Sequence, residues 1–319
     1  MHVLITGGTG FVGQHLRRYL LQATDWRLLN TTYPDPDAPL LDPEREEMVA
    51  LDLREAEAVH ALLAAHRPDA IIHLAAQSHV PTSYKDPWGT LENNIRGQLQ
   101  LLEACVALEL QPRFLVIGSG EAYGRDTPDA MPLREEHPLR PENPYSVSKV
   151  AQDVLGYQYF ISYGIPVVRM RPFNHVGPGQ SPRFVLPAFA SQVARIEAGQ
   201  QEPVLRVGNL SPARDFTDVR DVVRAYTLAL LHGEPGEAYN VCSGTGRTIQ
   251  SIVNRLLELA RVPISVEIDP DRYRPADVPV IFGSAEKLHR ATGWQPGIPF
   301  EQTVQNVLDE WRENVLNNA

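Results

Sequence analysis

Thr6-Gly7-Gly8-Thr9-Gly10-Phe11-Val12-Gly13 decides how this chain is read. The stretch follows the apolar run Val3-Leu4-Ile5 and opens a helical pattern over Val12–Leu21, so its glycines stand between a first strand and a first helix. Glycines in that setting allow a tight turn and bring backbone close to a pyrophosphate, which sits at the positive end of the helix. Gly7, Gly10 and Gly13, with Phe11 and Val12 at the helix start, are therefore expected to hold a dinucleotide.

The alternation continues downstream. Arg27–Leu29, Ala70–Leu74, Arg113–Ile117 and Pro166–Arg171 read as strands, and Glu55–His66, Leu91–Leu108 and Asn143–Ser162 as helices. Strands alternating with helices predict an α/β fold, a Rossmann-type doubly wound parallel sheet with right-handed crossovers. Proline and glycine then cluster from Pro172 to Pro187, where the repeat is left. Beyond lie helical patterns at Phe184–Ala198, Val219–His232, Ile249–Ala260 and Phe300–Asn314, strands at Tyr239–Val241 and Ser265–Ile268, and a proline-rich turn at Pro270–Pro279. The expected division is a dinucleotide-binding domain over residues 1–172, also receiving about 215–243, and a smaller interleaved C-terminal α/β substrate domain over 173–214 and 244–319.

A chain of 319 residues has room for one large domain or two modest ones. Its net charge of −10 argues against a nucleic-acid or membrane surface, although a pocket can still gather arginines for a small anion. No run approaches the roughly 18 apolar residues of a membrane span, and no secretory signal is read at the start. Cys105 and Cys242 lie in apolar surroundings and suit a reducing compartment, so a cytoplasmic location is expected. No metal is expected.

Open α/β sheets bind ligands beyond the carboxyl ends of their strands. At the end of the second strand, Asn30-Thr31-Thr32-Tyr33 carries neither the acid that marks NAD nor the arginine that marks NADP, and Asp35 and Asp37 follow in a proline-containing loop. The choice between NADP(H) and NAD(H) stays open. Asp52, beside Leu53, has two readings: acceptor for an adenine amine, or N-cap of the next helix. Leu74, Ala75 and Ala76 end a buried strand in small residues that let a cofactor pass, whereas His73 reads as a packed core histidine. Gln77, Ser78 and His79 face the space above. Ser119 and Glu121, in Gly118-Ser119-Gly120-Glu121, enter the same crevice.

The chemistry is announced by Tyr145 and Lys149 in Asn143-Pro144-Tyr145-Ser146-Val147-Ser148-Lys149. The chain has three lysines (Lys85, Lys149, Lys287) against twenty-six arginines. With eleven tyrosines, a Tyr-x-x-x-Lys spacing would arise by chance only about 0.1 times. Asn143 suits an N-cap and Pro144 the first helical turn, and positions four apart share a helix face. An ammonium beside the phenol is expected to draw the tyrosine down from about 10, toward a usable proton donor or acceptor.

Together these residues resemble the extended short-chain dehydrogenase/reductase family, in its nucleotide-sugar branch. The similarity spans nearly the whole chain and includes Arg171-Pro172-Phe173-Asn174-His175-Val176-Gly177, Arg214-Asp215-Phe216-Thr217-Asp218-Val219, Tyr239-Asn240-Val241 and Arg274-Pro275-Ala276-Asp277. By that resemblance Ser119, Tyr145 and Lys149 form the catalytic triad, with Tyr145 and Lys149 also on the cofactor. The resemblance further implies substrate contacts by Gln77, Ser119, Glu121, Asn174, Arg214, Arg274 and Asp277. Arginine suits a diphosphate through bidentate charge-assisted bonds. The implied activity is reduction of the C4 ketone of GDP-4-dehydro-6-deoxy-D-mannose to GDP-D-rhamnose. The alternatives are GDP-mannose 4,6-dehydration and, third, nucleotide-sugar 4-epimerisation. Dehydratases of the branch carry Thr-Asp-Glu or Thr-Ser-Glu where this chain has Ser119-Gly120-Glu121, and Gly120 has no side chain with which to assist a leaving hydroxyl. A homodimer through the helices Leu91–Leu108 and Asn143–Ser162 is implied as well.

Overall fold

The computed structural model describes residues 1–34, 39–126, 128–270 and 279–317. Its strands are β1 (His2–Thr6), β2 (Arg27–Thr32), β3 (Glu46–Ala50), β4 (Ala70–His73), β5 (Arg113–Ile117) and β6 (Val167–Pro172). They continue with β7 (Asn174–Val176), β8 (Val204–Val207), β9 (Ala213–Asp218), β10 (Ala238–Val241), β11 (Gly246–Thr248), β12 (Ser265–Ile268) and β13 (Val280–Ile281). The helices are α1 (Phe11–Ala23), α2 (Ala56–His66), α3 (Val80–Lys85), α4 (Pro87–Leu91), α5 (Gly97–Ala107) and α6 (Pro144–Tyr163). Then come α7 (Val185–Glu197), α8 (Val219–His232), α9 (Ile249–Leu259), α10 (Glu286–Thr292) and α11 (Phe300–Asn317).

Seven parallel strands form the main sheet in the order β10-β6-β5-β4-β1-β2-β3. The strand order reverses between β1 and β4, so the crevice opens above those two strands. Successive side chains point to opposite faces, and both faces are apolar, as a sheet covered on two sides requires. Val3, Ile5, Ile72, Leu115 and Met170 join one core with α1 and α8. Leu4, Ile71, Phe114, Val116 and Val167 join another with α2, α5 and α6. A third core packs α7, β8, β9, α9 and α11 through residues such as Phe189, Leu205, Phe216, Val253 and Val304. β9 pairs with β7, β11 and β13 outside the main sheet, so the chain rejoins the large body at α8 and β10.

Two expectations change. The helix expected over Leu91–Leu108 is interrupted: α4 leads into a π-helical turn at Glu92–Arg96 before α5 begins. The extra residue in that turn directs Asn94 into the interior, fully buried. Asp52 is not an N-cap either, because α2 begins at Ala56 behind Glu55. The expected turn at Pro270–Pro279 falls almost wholly outside the described residues, as do Asp35 and Asp37. α6 forms as read, with Asn143 capping Ser146 N, Pro144 in the first turn, and Gly164 at φ 71° closing the helix.

Candidate active site

The glycine turn is shaped by close approaches. Gly7 has φ +70°, and a Cβ there would stand 3.0 Å from the backbone of Ala75, which is how the turn seats on the end of β4. A Cβ at Gly13 would lie 2.3 Å from the carbonyl oxygen of Gly7, so only glycine lets α1 pack against the turn. Gly10 caps α1 without a side-chain hydrogen bond, and no acid occupies the first turn. The amides at this helix start are thus left for an external anion, a cradle that fits a dinucleotide pyrophosphate. Phe11 stacks on His175 with ring centroids 6.2 Å apart, tying the cradle to the segment after β6.

The neighbouring strand ends are fixed from below. His73 shares a 2.8 Å hydrogen bond with Thr6 Oγ1, which also accepts from Ala75 N at 3.2 Å. Burial and the nearby Lys149 push His73 down to about 3, so it stays a neutral core histidine. Leu53 packs beside α5, against Gly97. Asp52 is held by Arg54, whose Nη2 donates at 2.6 Å, and that bond keeps the carboxyl below its usual range. Gln77 has both side-chain functions engaged: Nε2 donates to Thr90 Oγ1 on α4 at 3.0 Å, and Oε1 accepts from His79 N in its own loop at 2.5 Å. It shapes the wall of the crevice.

Ser119, Glu121, Tyr145 and Lys149 come together above β5. The Ser119 hydroxyl is close enough to the Tyr145 phenol to hold its pKa down, and Lys149 Nζ stands 5.9 Å from the Tyr145 ring centroid. Ser119 Oγ accepts from Glu121 N at 3.1 Å, and Glu121 Oε2 accepts from Asn143 Nδ2 at 3.2 Å. Arg214 on β9 acts electrostatically on Glu121, placing it on the same side of the crevice. Asn174 is exposed on β7 and pairs in register with Phe216, two residues along β9 from Arg214. Asp215, fully buried, accepts from Ser243 N, Ser243 Oγ, Gly244 N and Gly283 N, and so fixes the strand that carries Arg214. Arg274 and Asp277 lie outside the described residues.

The expected lowering of Tyr145 is reversed. Burial raises its pKa, the Glu121 charge adds to the rise, and the Ser119 hydrogen bond only partly opposes them. Lys149 gives little help because burial lowers its own pKa to about 7. Its ammonium donates to Ile117 O at 2.8 Å and Gln152 Oε1 at 2.9 Å. Tyr145 therefore keeps its proton throughout the neutral range, the form required of a proton donor.

An unfolded lysine holds its proton up to about pH 10. The folded chain releases that of Lys149 near pH 7, so this residue's contribution to stability is most favourable above about pH 10 and falls as pH is lowered toward 7. Lys149→Met should remove this dependence. Urea denaturation across pH 7 to 9 is expected to show wild type gaining on the variant by about 1.4 kcal/mol per pH unit.

Three site residues escape a reading of the sequence. Asn94 Oδ1 accepts from Gln77 N at 2.7 Å, while Nδ2 donates to Gln77 O at 3.0 Å and to Ser148 Oγ at 2.9 Å, joining the crevice loop to α6. A polar pair, Asn93-Asn94, in an otherwise amphipathic helix is its only local signal. Asn143, read as a cap, also holds Glu121. Phe173 covers Gly120: a Cβ there would lie 2.9 Å from its ring.

Comparison with known proteins agrees with this geometry. The chain is 41% identical to GDP-6-deoxy-D-mannose reductase of Pseudomonas aeruginosa, over 98% of each chain. A solved structure of RMD from Pseudomonas aeruginosa complexed with NADPH superposes with a TM-score of 0.87, at 39% identity over 98% of this chain and 99% of that one. The Thermus thermophilus UDP-glucose 4-epimerase in complex with NAD has a TM-score of 0.84, at 32% identity over 98% and 99%. The GDP-mannose 4,6-dehydratase family matches residues 4–307, from the first strand to the last helix. The protein belongs to that family, within the nucleotide-sugar branch of the extended short-chain dehydrogenases/reductases.

Proposed function

We propose that this protein reduces the C4 ketone of GDP-4-dehydro-6-deoxy-D-mannose, giving GDP-D-rhamnose. The observation that carries the reading is an intact Ser119–Tyr145–Lys149 cluster beside a bare position 120 roofed by Phe173. The likeness to the Pseudomonas aeruginosa reductase along the full length of both chains supports it. A reduced nicotinamide dinucleotide, NADPH or NADH, supplies the hydride when bound; both phosphorylated and unphosphorylated forms occur in similar structures. Gly7, Gly10, Phe11, Val12 and Gly13 would cradle its pyrophosphate, Asp52 and Leu53 flank its adenine, and Leu74–Ala76 line its path. Tyr145 would give its proton to the C4 oxygen, Ser119 would steady that oxygen by a hydrogen bond, and Lys149 would hold the nicotinamide ribose. Asn174 and Arg214, with Arg274 and Asp277, would receive the nucleotide diphosphate and ribose.

Residues 1–172 with the return through α8 and β10 would then bind the dinucleotide, and 173–214 with 244–319 the sugar nucleotide. A homodimer is supported by Val147, Val154, Tyr157 and Ile161, which are exposed along one face of α6. Among the described residues no helix is long and apolar enough to cross a membrane. The free, buried cysteines Cys105 and Cys242 suit the cytoplasm, where we place the enzyme.

The second reading, dehydration of GDP-mannose, is favoured by Glu121 alone. Product analysis separates the two. The keto-sugar with NADPH or NADH should yield GDP-D-rhamnose, and GDP-mannose alone should be left unchanged. Turnover of GDP-mannose without a partner enzyme would sink the reductase reading. Gly120→Asp should not install dehydration, because its Cβ meets Phe173, and should destabilise the fold by about 1–3 kcal/mol through overpacking. Thermal denaturation and GDP-mannose turnover of this variant check both halves of that expectation.

A further inference from the structure

Reducing a ketone asks for no carboxyl, yet Glu121 places one in the crevice. It stands on the turn Gly120–Tyr123 with its N–H on Ser119 Oγ. Asn143 holds Oε2, while Oε1 has no hydrogen bond among the described residues. The side chain is half-buried, which leaves Oε1 within reach of a ligand. Among the described residues, the titratable or charged groups that act on it are Tyr145 from α6 and Arg214 from β9.

The balance on this carboxyl is easily moved. Burial raises its pKa, and the Asn143 hydrogen bond and the Arg214 charge hold it back. A diphosphate on Arg214 matches the guanidinium charge and brings negative charge toward the carboxylate. A sugar in the crevice also takes water from the half-buried side chain. Both changes disfavour the ionised form. The chemistry points the same way: a proton given up by Tyr145 leaves a phenolate, which an ionised Glu121 opposes and a neutral one does not.

We propose that Glu121 takes up a proton when the nucleotide-diphosphate sugar binds and then, as a neutral carboxylic acid, donates a hydrogen bond from its free oxygen to the sugar. The proposal rests on the nucleotide-sugar reading above. Its consequence is a substrate affinity that weakens as pH rises, because the proton must then be drawn from a scarcer supply.

GDP-mannose, which carries an alcohol at C4 and cannot accept hydride, is the probe. It is titrated calorimetrically into the NADPH-saturated protein at one near-neutral pH, in phosphate and in Tris. Wild type should show a buffer-dependent heat equivalent to net proton uptake, and Glu121→Gln should lose it. A buffer-independent heat in wild type, or undiminished uptake in the variant, overturns the proposal. In turnover of the keto-sugar, Glu121→Ala should lower kcat/KM by about 30-fold, and Glu121→Gln, which keeps a donor but cannot titrate, should recover most of that loss. A glutamine variant as impaired as the alanine one means that the carboxylate itself is needed, and overturns the proposal too. Failure of GDP-mannose to bind, with no reduction of the keto-sugar by wild type, overturns the nucleotide-sugar reading on which it rests.

Discussion

Tyr145→Phe is expected to lower kcat by about 10²–10⁴-fold, with the dissociation constant for NADPH changed only a few-fold. The substitution removes one oxygen and keeps the ring that packs beside Lys149. What it deletes is the hydroxyl proposed to give its proton to the ketone oxygen. Ser119 cannot replace it, since a serine hydroxyl is a far weaker acid than a phenol. Lys149 cannot replace it directly, because its ammonium is turned to Ile117 O and Gln152 Oε1. A residual rate should remain from binding and orientation alone. Stopped-flow measurement of NADPH oxidation at saturating keto-sugar gives kcat, and fluorescence titration gives cofactor affinity. Unchanged turnover would reject Tyr145 as the donor. A loss confined to NADPH affinity would make the hydroxyl a cofactor contact only.

Much of the large sheet is legible in the sequence for a physical reason. Parallel strands covered on both faces are apolar at successive positions, so Val3-Leu4-Ile5 and Ile71-Ile72 stand out as runs. β3 escapes because it opens with Glu46-Glu47, and the buried Glu46 is paired with Arg17, twenty-nine residues earlier, whose Nε donates to it at 2.7 Å. β7, β11 and β13 have two or three residues each, too few for any periodicity to show. At the site, Ser119, Tyr145 and Lys149 are legible because strand ends and helix faces set their positions locally. Phe173 over Gly120 and Asn94 on Gln77 are contacts between segments, with no trace in local spacing. The Tyr145 pKa fails for the same reason: a four-residue spacing reports the lysine, but burial by the whole fold decides the direction.

Asp153→Ala should be the most damaging change beneath the site, lowering stability by about 3–5 kcal/mol. Asp153 lies one turn beyond Lys149 on α6, with its side chain 2% exposed. It accepts from Arg169 Nη1 at 2.7 Å, Arg171 Nε at 2.8 Å and Arg171 Nη2 at 3.1 Å. Arg171 also donates to the Tyr123 hydroxyl and to Glu135 O, both at 3.0 Å, and Tyr123 in turn donates to Asn240 Oδ1 at 2.7 Å. One carboxylate thus joins α6, β6, the turn after Ser119 and β10, directly under Gly118. Without it, Arg169 can still reach Gly236 O, but Arg171, its side chain 6% exposed, is left without a counter-charge. Replacing the pair together, as Asp153→Leu with Arg171→Met, removes the stranded charge and should recover much of the stability. Turnover should stay low, because Tyr123, on the turn that follows Ser119, and the Glu135 segment lose their anchor. Urea denaturation and kcat measured on the single and double variants read the two quantities separately. Recovery of both would reduce the network to a structural ion pair; recovery of stability alone would show that its geometry serves the Ser119–Tyr145 cluster above it.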